Sequence, residues 1–372
     1  MKILQLIIGL GQGGAEQIVL DLVRGLDRSK YQMSVCSILD ISGPQGAYVA
    51  RLREAGADVF SLGLTRKWQL RRAMALEGVI GDVQPDILHC HMFHANVLGR
   101  WIGHRAGVAN IVSTVHAAER RCLPWRLWIE RKTDPLGTVS VCVSQSVLQL
   151  HSRRTRIPSE RFTVIPNGVD TARFAQPSRS SAEVRAELGI AADATVIGSV
   201  GRLDVLKGYR YLIAAFGRIV GELDNVELVI AGDGPERSML ERLARQAGCS
   251  EHVHLLGQRA DAVDLLHAFD VFAMPSICEG LPLALIEAMA AGVPVVASAV
   301  GSVPEVLAAG RLVRPQDPDE LAGALLDALE NPDPVQTQLS LAHVREHYDL
   351  STMLAGYAGL YDSLCGDAGE SG

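Results

Sequence analysis

Short apolar, β-branched runs and amphipathic stretches alternate almost from the first residue, and no other feature limits the possible folds as strongly. "KILQLII" gives way to "GAEQIVLDLVRGL" and then "MSVCSIL", and the pattern continues through "DILHC", "NIVSTVH" and "TVSVCVS". Such alternation builds parallel sheets, because joining parallel strands needs a crossover of a dozen or more residues that is usually a helix. The pattern restarts after residue 190 with "ATVIGSVG", "VELVIAG", "VHLLG", "VFAMP" and "PVVAS". Between the two series, "VIPNGVDTARFAQPSRSSAEVRAELGI" loses the periodicity and gains turn residues, which marks a connector. At 372 residues the chain exceeds the size at which one core stops growing. The expected class is α/β, with two doubly wound, Rossmann-like parallel-sheet domains over 1–170 and 171–350 facing a central cleft. A last amphipathic segment, 351–372, is free to pack back on the first domain.

Hydrophobic content of 48% with 21% charged residues is that of a globular protein, and no apolar run is long enough to span a membrane. The opening "MKILQLIIGLGQGGAE" reads as a first strand and not as a cleaved leader, since glycines and Glu16 stand where a small-residue cleavage site belongs. Seven cysteines without a CxxC pair fit buried thiols in a reducing cytoplasm. Residues 1–170 carry 21 Lys and Arg against 14 Asp and Glu, and the remainder 14 against 28. A basic first half suggests an anionic partner such as a membrane surface or a phosphorylated acceptor, although a drift of charge without function explains it equally well. No nucleic-acid partner is expected.

Ligands of doubly wound sheets bind beyond the carboxyl ends of the strands, so the residues there matter most. Gly9, Gly11 and Gly14 satisfy GxGxxG after the first strand, and Asp40 follows the next, as a nicotinamide dehydrogenase would need. The weaker statement is that Gly13 and Gly14 let backbone amides at a helix start approach a phosphate or sugar. In "HCHMFH", His89 and His91 share one strand face and Cys90 the other, but no further ligand is near in sequence, which disfavours a metal. His91 and His116 each end a strand and are expected at the cleft. In "GSVGRLDVLKG", Arg202 and Lys207 put two cations on a loop after a strand, a suitable grip for a diphosphate. In "CEGLPLALIEAMAAG", Pro282 fits a helix's first turn, so Glu279 falls at a loop tip beside free amides and Glu287 lies inside an apolar helix. A carboxylate there needs a hydrogen-bonding partner, and a vicinal diol such as a ribose supplies one.

Taken with "VIPNGVD", "GDGPE", "QGGAE" and the E-x7-E pattern of "EGLPLALIEAMAAGVPVVAS", the chain resembles the large retaining family of glycosyltransferases with the two-domain GT-B fold, family 4. The resemblance covers nearly the whole chain. It implies a nucleotide diphosphate sugar as donor, UDP ahead of GDP, held mainly by the second domain. It also implies a glycan or lipid-linked acceptor at the first domain, no metal and no cofactor, and a place in bacterial cell-surface polysaccharide or glycolipid synthesis. Carried over residue by residue, Glu287 holds the ribose and Arg202 with Lys207 the diphosphate. Glu279, with the amides of Gly280 and Leu281, holds the sugar hydroxyls, while Gly13 and Gly14 close over the diphosphate. His116 lies beside the transferring sugar, and Arg259 contacts the base. His116 is followed by Ala117 and Ala118 where the family often has glycine. A dehydrogenase leaves Arg202, Lys207, Glu279 and Glu287 unused, and a glycoside hydrolase needs both glutamates at the bond. A non-catalytic sugar-nucleotide sensor remains the alternative from another class. "AERRCLPWRLWIERK" (118–132) interleaves tryptophans with arginines and Lys132, and "RKWQLRR" (66–72) repeats the flavour. Both suit an interfacial helix on anionic lipid, and both suit an ordinary solvated helix.

Overall fold

The structure, a computed structural model, describes residues 1–11, 13–41, 46–65, 73–116, 123–307 and 309–366. It divides into two compact units: Met1–Gly168 together with the segment from Leu350, and Val169–Asp349.

In the first unit β1 (Lys2–Ile7), β2 (Gln32–Leu39), β3 (Asp58–Leu64), β4 (Ile87–His91), β5 (Asn110–Val115), β6 (Val139–Cys142) and β7 (Phe162–Val164) form one parallel sheet. Its order is β3-β2-β1-β4-β5-β6-β7. The order reverses between β1 and β4, which makes the carboxyl ends around that pair the natural binding place. β1 and β4 are buried along almost their whole length, which is why their sequences run apolar instead of alternating. The helix Leu350–Gly366 belongs to this unit. Its Asp362 accepts from Lys30 Nζ at 2.6 Å and from Tyr31 Oη at 2.8 Å. Its Tyr357 and Tyr361 are fully buried.

The second unit repeats the plan with β8 (Thr195–Val200), β9 (Val226–Ala231), β10 (Val253–Gly257), β11 (Val271–Met274), β12 (Val295–Ser298) and β13 (Arg311–Val313). The parallel order is β10-β9-β8-β11-β12-β13, and it reverses between β8 and β11. The core behind the sheet gathers Leu212, Phe216, Leu228, Ile230 and Leu325, all out of contact with water.

The connector differs from its expected irregular character. It carries the short helices Thr171–Phe174 and Ser181–Glu187. Ser180 Oγ accepts from the Glu183 amide at 3.3 Å while Glu183 Oε2 accepts from the Ser180 amide at 2.8 Å, a reciprocal cap already spelled by S-x-x-E in the sequence.

Candidate functional site

Two loops of the second unit meet where its strand order reverses. The segment after β8 makes a single 3₁₀ turn, Val205–Lys207, and enters the helix Tyr209–Ile219 through Gly208. Gly208 has φ 69°, and a Cβ there would run into the Pro275 carbonyl after β11. The Ile277 amide donates to the Leu206 carbonyl at 2.8 Å, so backbone ties the two loops together. Across that junction Lys207 Nζ donates to Glu279 Oε1 at 2.8 Å, and the buried Ser276 hydroxyl donates to the same oxygen at 2.6 Å. The Glu279 side chain is only 8% exposed and Lys207 28%. Glu279 therefore does not project from a loop tip as the sequence suggested: it is a carboxylate held in place from two sides.

A third loop closes on this pair. Gly301 after β12 has φ 53°, and a Cβ there would strike the Glu279 carbonyl. Ser302 Oγ donates to the Gly280 carbonyl. Pro282 stands at the cap position of the helix Leu283–Ala290, one residue before the first turn that the sequence assigned to it. At this end the cap proline offers no donor, and the first-turn amides of Leu283 and Ala284 are the ones an anion can draw on. Glu287 is half-buried between the buried Ile286 and Ala288.

Arg202 and Arg259 lie differently from their expected partners. Arg202 is bound to Asp204 through Nε at 2.9 Å and through a terminal nitrogen at 2.8 Å, and it stays 66% exposed. Arg259 donates to both Asp261 oxygens, at 2.8 and 2.6 Å, and to Glu187 Oε1 at 2.8 Å. Those hydrogen bonds, Asp261 first, push its guanidinium still higher than usual. These bonds engage Nε and one terminal nitrogen and hold the guanidinium against Asp261 and Glu187.

In the first unit Gly13 caps the helix Gly14–Gly25 in an extended conformation, and the Glu16 carboxylate occupies the space a Cβ would fill. His91 ends β4 and His116 follows β5, but His91 is fully buried and does not face outward. Its Nδ1 lies 3.0 Å from His116 Nε2 and its Nε2 lies 2.7 Å from Gln5 Oε1. His89 reaches Tyr361 Oη at 2.7 Å through Nδ1 and Thr114 Oγ1 at 2.7 Å through Nε2. With both ring nitrogens engaged in hydrogen bonds, His89 and His91 lie side by side in the core, their ring centroids 4.1 Å apart. Burial, with a smaller push from His116, lowers His89 to about 3. Burial holds His91 well below the usual value, helped by His89 and His116, and lowers His116 to about 4. All three are neutral at pH 7.

Sequence reasoning missed Ser276, Gln5 and Tyr361. Gln5 carried a signal, as the polar residue inside "KILQLII"; Tyr361 carried none, because its partner lies 356 residues away. The segments 66–72 and 117–122, which hold part of the basic, tryptophan-bearing stretches, lie outside the described residues.

Comparison with known proteins matches the same two halves. Residues 12–173 match the family model described as Glycosyltransferase Family 4, and residues 180–342 match Glycosyl transferases group 1. The putative glycosyltransferase EpsF of Bacillus subtilis is 30% identical over 83% of this chain and 81% of its own length. The UDP-Gal:alpha-D-GlcNAc-diphosphoundecaprenol alpha-1,3-galactosyltransferase of Escherichia coli is 30% identical over 62% of each. Anabaena Alr3699/HepE, solved in complex with UDP-glucose, superposes with a TM-score of 0.86 at 23% identity, covering 98% of this chain and 100% of that one.

Proposed function

We propose a donor, an acceptor and a mechanism for a chain that belongs to glycosyltransferase family 4 and has the GT-B type of fold. It moves a sugar, with retention, from a UDP-sugar to a glycan or lipid-linked acceptor in cell-surface polysaccharide or glycolipid synthesis. The observation that carries this reading is the Lys207–Glu279–Ser276 cluster on loops of the second unit. UDP is taken ahead of GDP on the UDP-glucose named for Anabaena Alr3699/HepE and the UDP-Gal named for the Escherichia coli relative, against the GDP-mannose named for mannosyltransferases of Corynebacterium glutamicum and Mycolicibacterium smegmatis at 33% and 32% identity. That relative's named acceptor is linked to diphosphoundecaprenol, which supports a lipid-linked class here.

When donor enters, Lys207 turns from Glu279 to the diphosphate, Arg202 exchanges Asp204 for it, and Glu279 is released to bind sugar hydroxyls. Glu287 holds the ribose diol, and Gly13 and Gly14 bring their amides over the diphosphate. As the bond from the anomeric carbon to the phosphate oxygen breaks, the fixed positive charge acts where negative charge grows. The acceptor oxygen forms its bond on the same face, and its proton goes to the departing phosphate oxygen. Charge on Lys207, Arg202 and the loop amides does what a divalent cation does elsewhere, so the reaction needs no metal.

The helix Pro124–Thr133 gives the acceptor side a membrane surface. Trp128 is 61% exposed and Leu123 54%, with the exposed Arg131 and Lys132 beside them. Trp101 stands exposed on the helix Met92–Arg105, and Arg126 stacks on Phe93 at 5.1 Å. Apolar side chains flanked by cations suit anionic lipid. No helix among the described residues is long and apolar enough to cross a membrane. The reading is of peripheral attachment at a cytoplasmic face.

The test supplies UDP- and GDP-sugars with a polyprenyl-diphosphate-linked acceptor in micelles and follows the product's anomeric proton by NMR. Transfer from the UDP-sugar with the donor's configuration kept is expected. An inverted product, or transfer from GDP-sugars alone, rejects the reading, and tight binding without transfer or hydrolysis would favour a sensor.

A further inference from the structure

We propose that Gln5 and His91 are positioning residues that hold His116 as a single tautomer, protonated on Nε2, leaving Nδ1 to accept a hydrogen bond from the donor sugar. Only the last clause rests on the glycosyl-transfer reading.

Met33 Sδ lies 3.8 Å from Gln5 Nε2, and a thioether accepts hydrogen bonds but cannot donate them. The amide end facing it is therefore the NH₂ group, which also donates to Tyr361 Oη at 3.2 Å. The other end, Oε1, can only accept, so the proton in the 2.7 Å contact with His91 sits on His91 Nε2. A neutral imidazole carries one such proton, which leaves His91 Nδ1 bare. The 3.0 Å contact between the two histidines must then be bridged by a proton on His116 Nε2. His116 Nδ1 is left with a lone pair, buried from water and without a partner among the described residues.

The rest of the network closes consistently. The Tyr361 hydroxyl, accepting from Gln5, donates to His89 Nδ1, and His89 Nε2 donates to Thr114 Oγ1. Turning the Gln5 amide over reverses every bond, sets a carbonyl oxygen against sulfur and leaves an N–H of His116 orphaned. An unmatched buried polar group is costly, and a sugar hydroxyl is the donor that a bare Nδ1 can use.

The experiment labels the full chain with ¹⁵N-histidine and reads the tautomer of His116 from long-range ¹H–¹⁵N correlations, without ligand. The wild-type chain should show Nε2–H from pH 6 to 8. Gln5→Leu keeps the His91–His116 contact but removes the fixed acceptor, and should give mixed tautomers. Met33→Leu should give a smaller admixture. An Nδ1–H form in the wild type, or one unchanged tautomer in folded Gln5→Leu, overturns the proposal. In the activity arm, Gln5→Leu should lower kcat/KM for the UDP-sugar by up to about tenfold while the Kd of UDP stays constant. An equal loss in UDP affinity contradicts the sugar contact alone and leaves the tautomer result standing.

Discussion

At the ends of β8 and β11, Lys207 and Glu279 meet at 2.8 Å as an ion pair, whereas past β4 and β5 His91 and His116 meet at 3.0 Å and stay neutral. The chemistry follows from access to water. Lys207 keeps a quarter of its surface in solvent, enough to trade its carboxylate for a ligand anion. His91 has no such access and His116 keeps only part of its ring surface in solvent, and burial removes their protons instead. One unit thus offers exchangeable charge, suited to a diphosphate. The other offers fixed, uncharged hydrogen bonds, suited to hydroxyl groups.

Acid should separate the two units most strongly. A histidine whose pKa is depressed by folding stabilises the native state fully above its unfolded value, near 6.5, and progressively less as pH falls toward its folded value. For His89 and His116 that window runs from about 6.5 down to folded values of about 3 and about 4, and His91, held well below its ordinary value by burial, acts in the same direction. Within it each protonation taken up on unfolding lowers the stability of the native state, and the three losses share one sign. Hydrogen exchange between pH 6.5 and 4.5 should therefore show the first unit opening well before the second; simultaneous opening would break the contrast.

Lys207→Ala should cost about 2.7 to 4 kcal/mol of barrier, a hundredfold or more in kcat, with little change in melting temperature because Ser276 still holds Glu279. Parallel losses in turnover and stability would make Lys207 a structural residue. Glu287→Gln should weaken UDP by about 1.5 to 3 kcal/mol and erase the preference over 2′-deoxy-UDP, as read by calorimetry. A preserved preference would remove Glu287 from the ribose. The smallest effect belongs to Arg202→Ala: an exposed cation already paired with Asp204 should be worth no more than about 1 kcal/mol in donor KM. A loss as large as that of Lys207 would mean that Arg202, once it has left Asp204, grips the diphosphate as firmly as Lys207 does.

Periodicity made the two sheets legible, because buried parallel strands must be apolar runs. It passed over β3, β7 and β13. β3 mixes half-buried positions, and β7 and β13 are three-residue edge strands, too short to carry a period. Within the site, Lys207 stood out as a cation on a loop after a strand, and Glu279 and Glu287 as carboxylates flanking and inside an apolar run. What stayed hidden was pairing. Nothing in sequence says that Arg259 prefers Asp261 and Glu187, or that Ser276 reaches Glu279, since such choices depend on side-chain reach across loops. The histidines were legible as strand ends but not as a neutral network, because its far side is supplied by Tyr361 in the last helix.

The most direct test of the charged site compares the calorimetric affinities of UDP and UMP for the wild-type chain and for Lys207→Ala. If Lys207 grips the terminal phosphate, UDP binds the wild type at least tenfold more tightly than UMP and most of that advantage disappears in the variant. An unchanged ratio in Lys207→Ala would contradict the account at its centre.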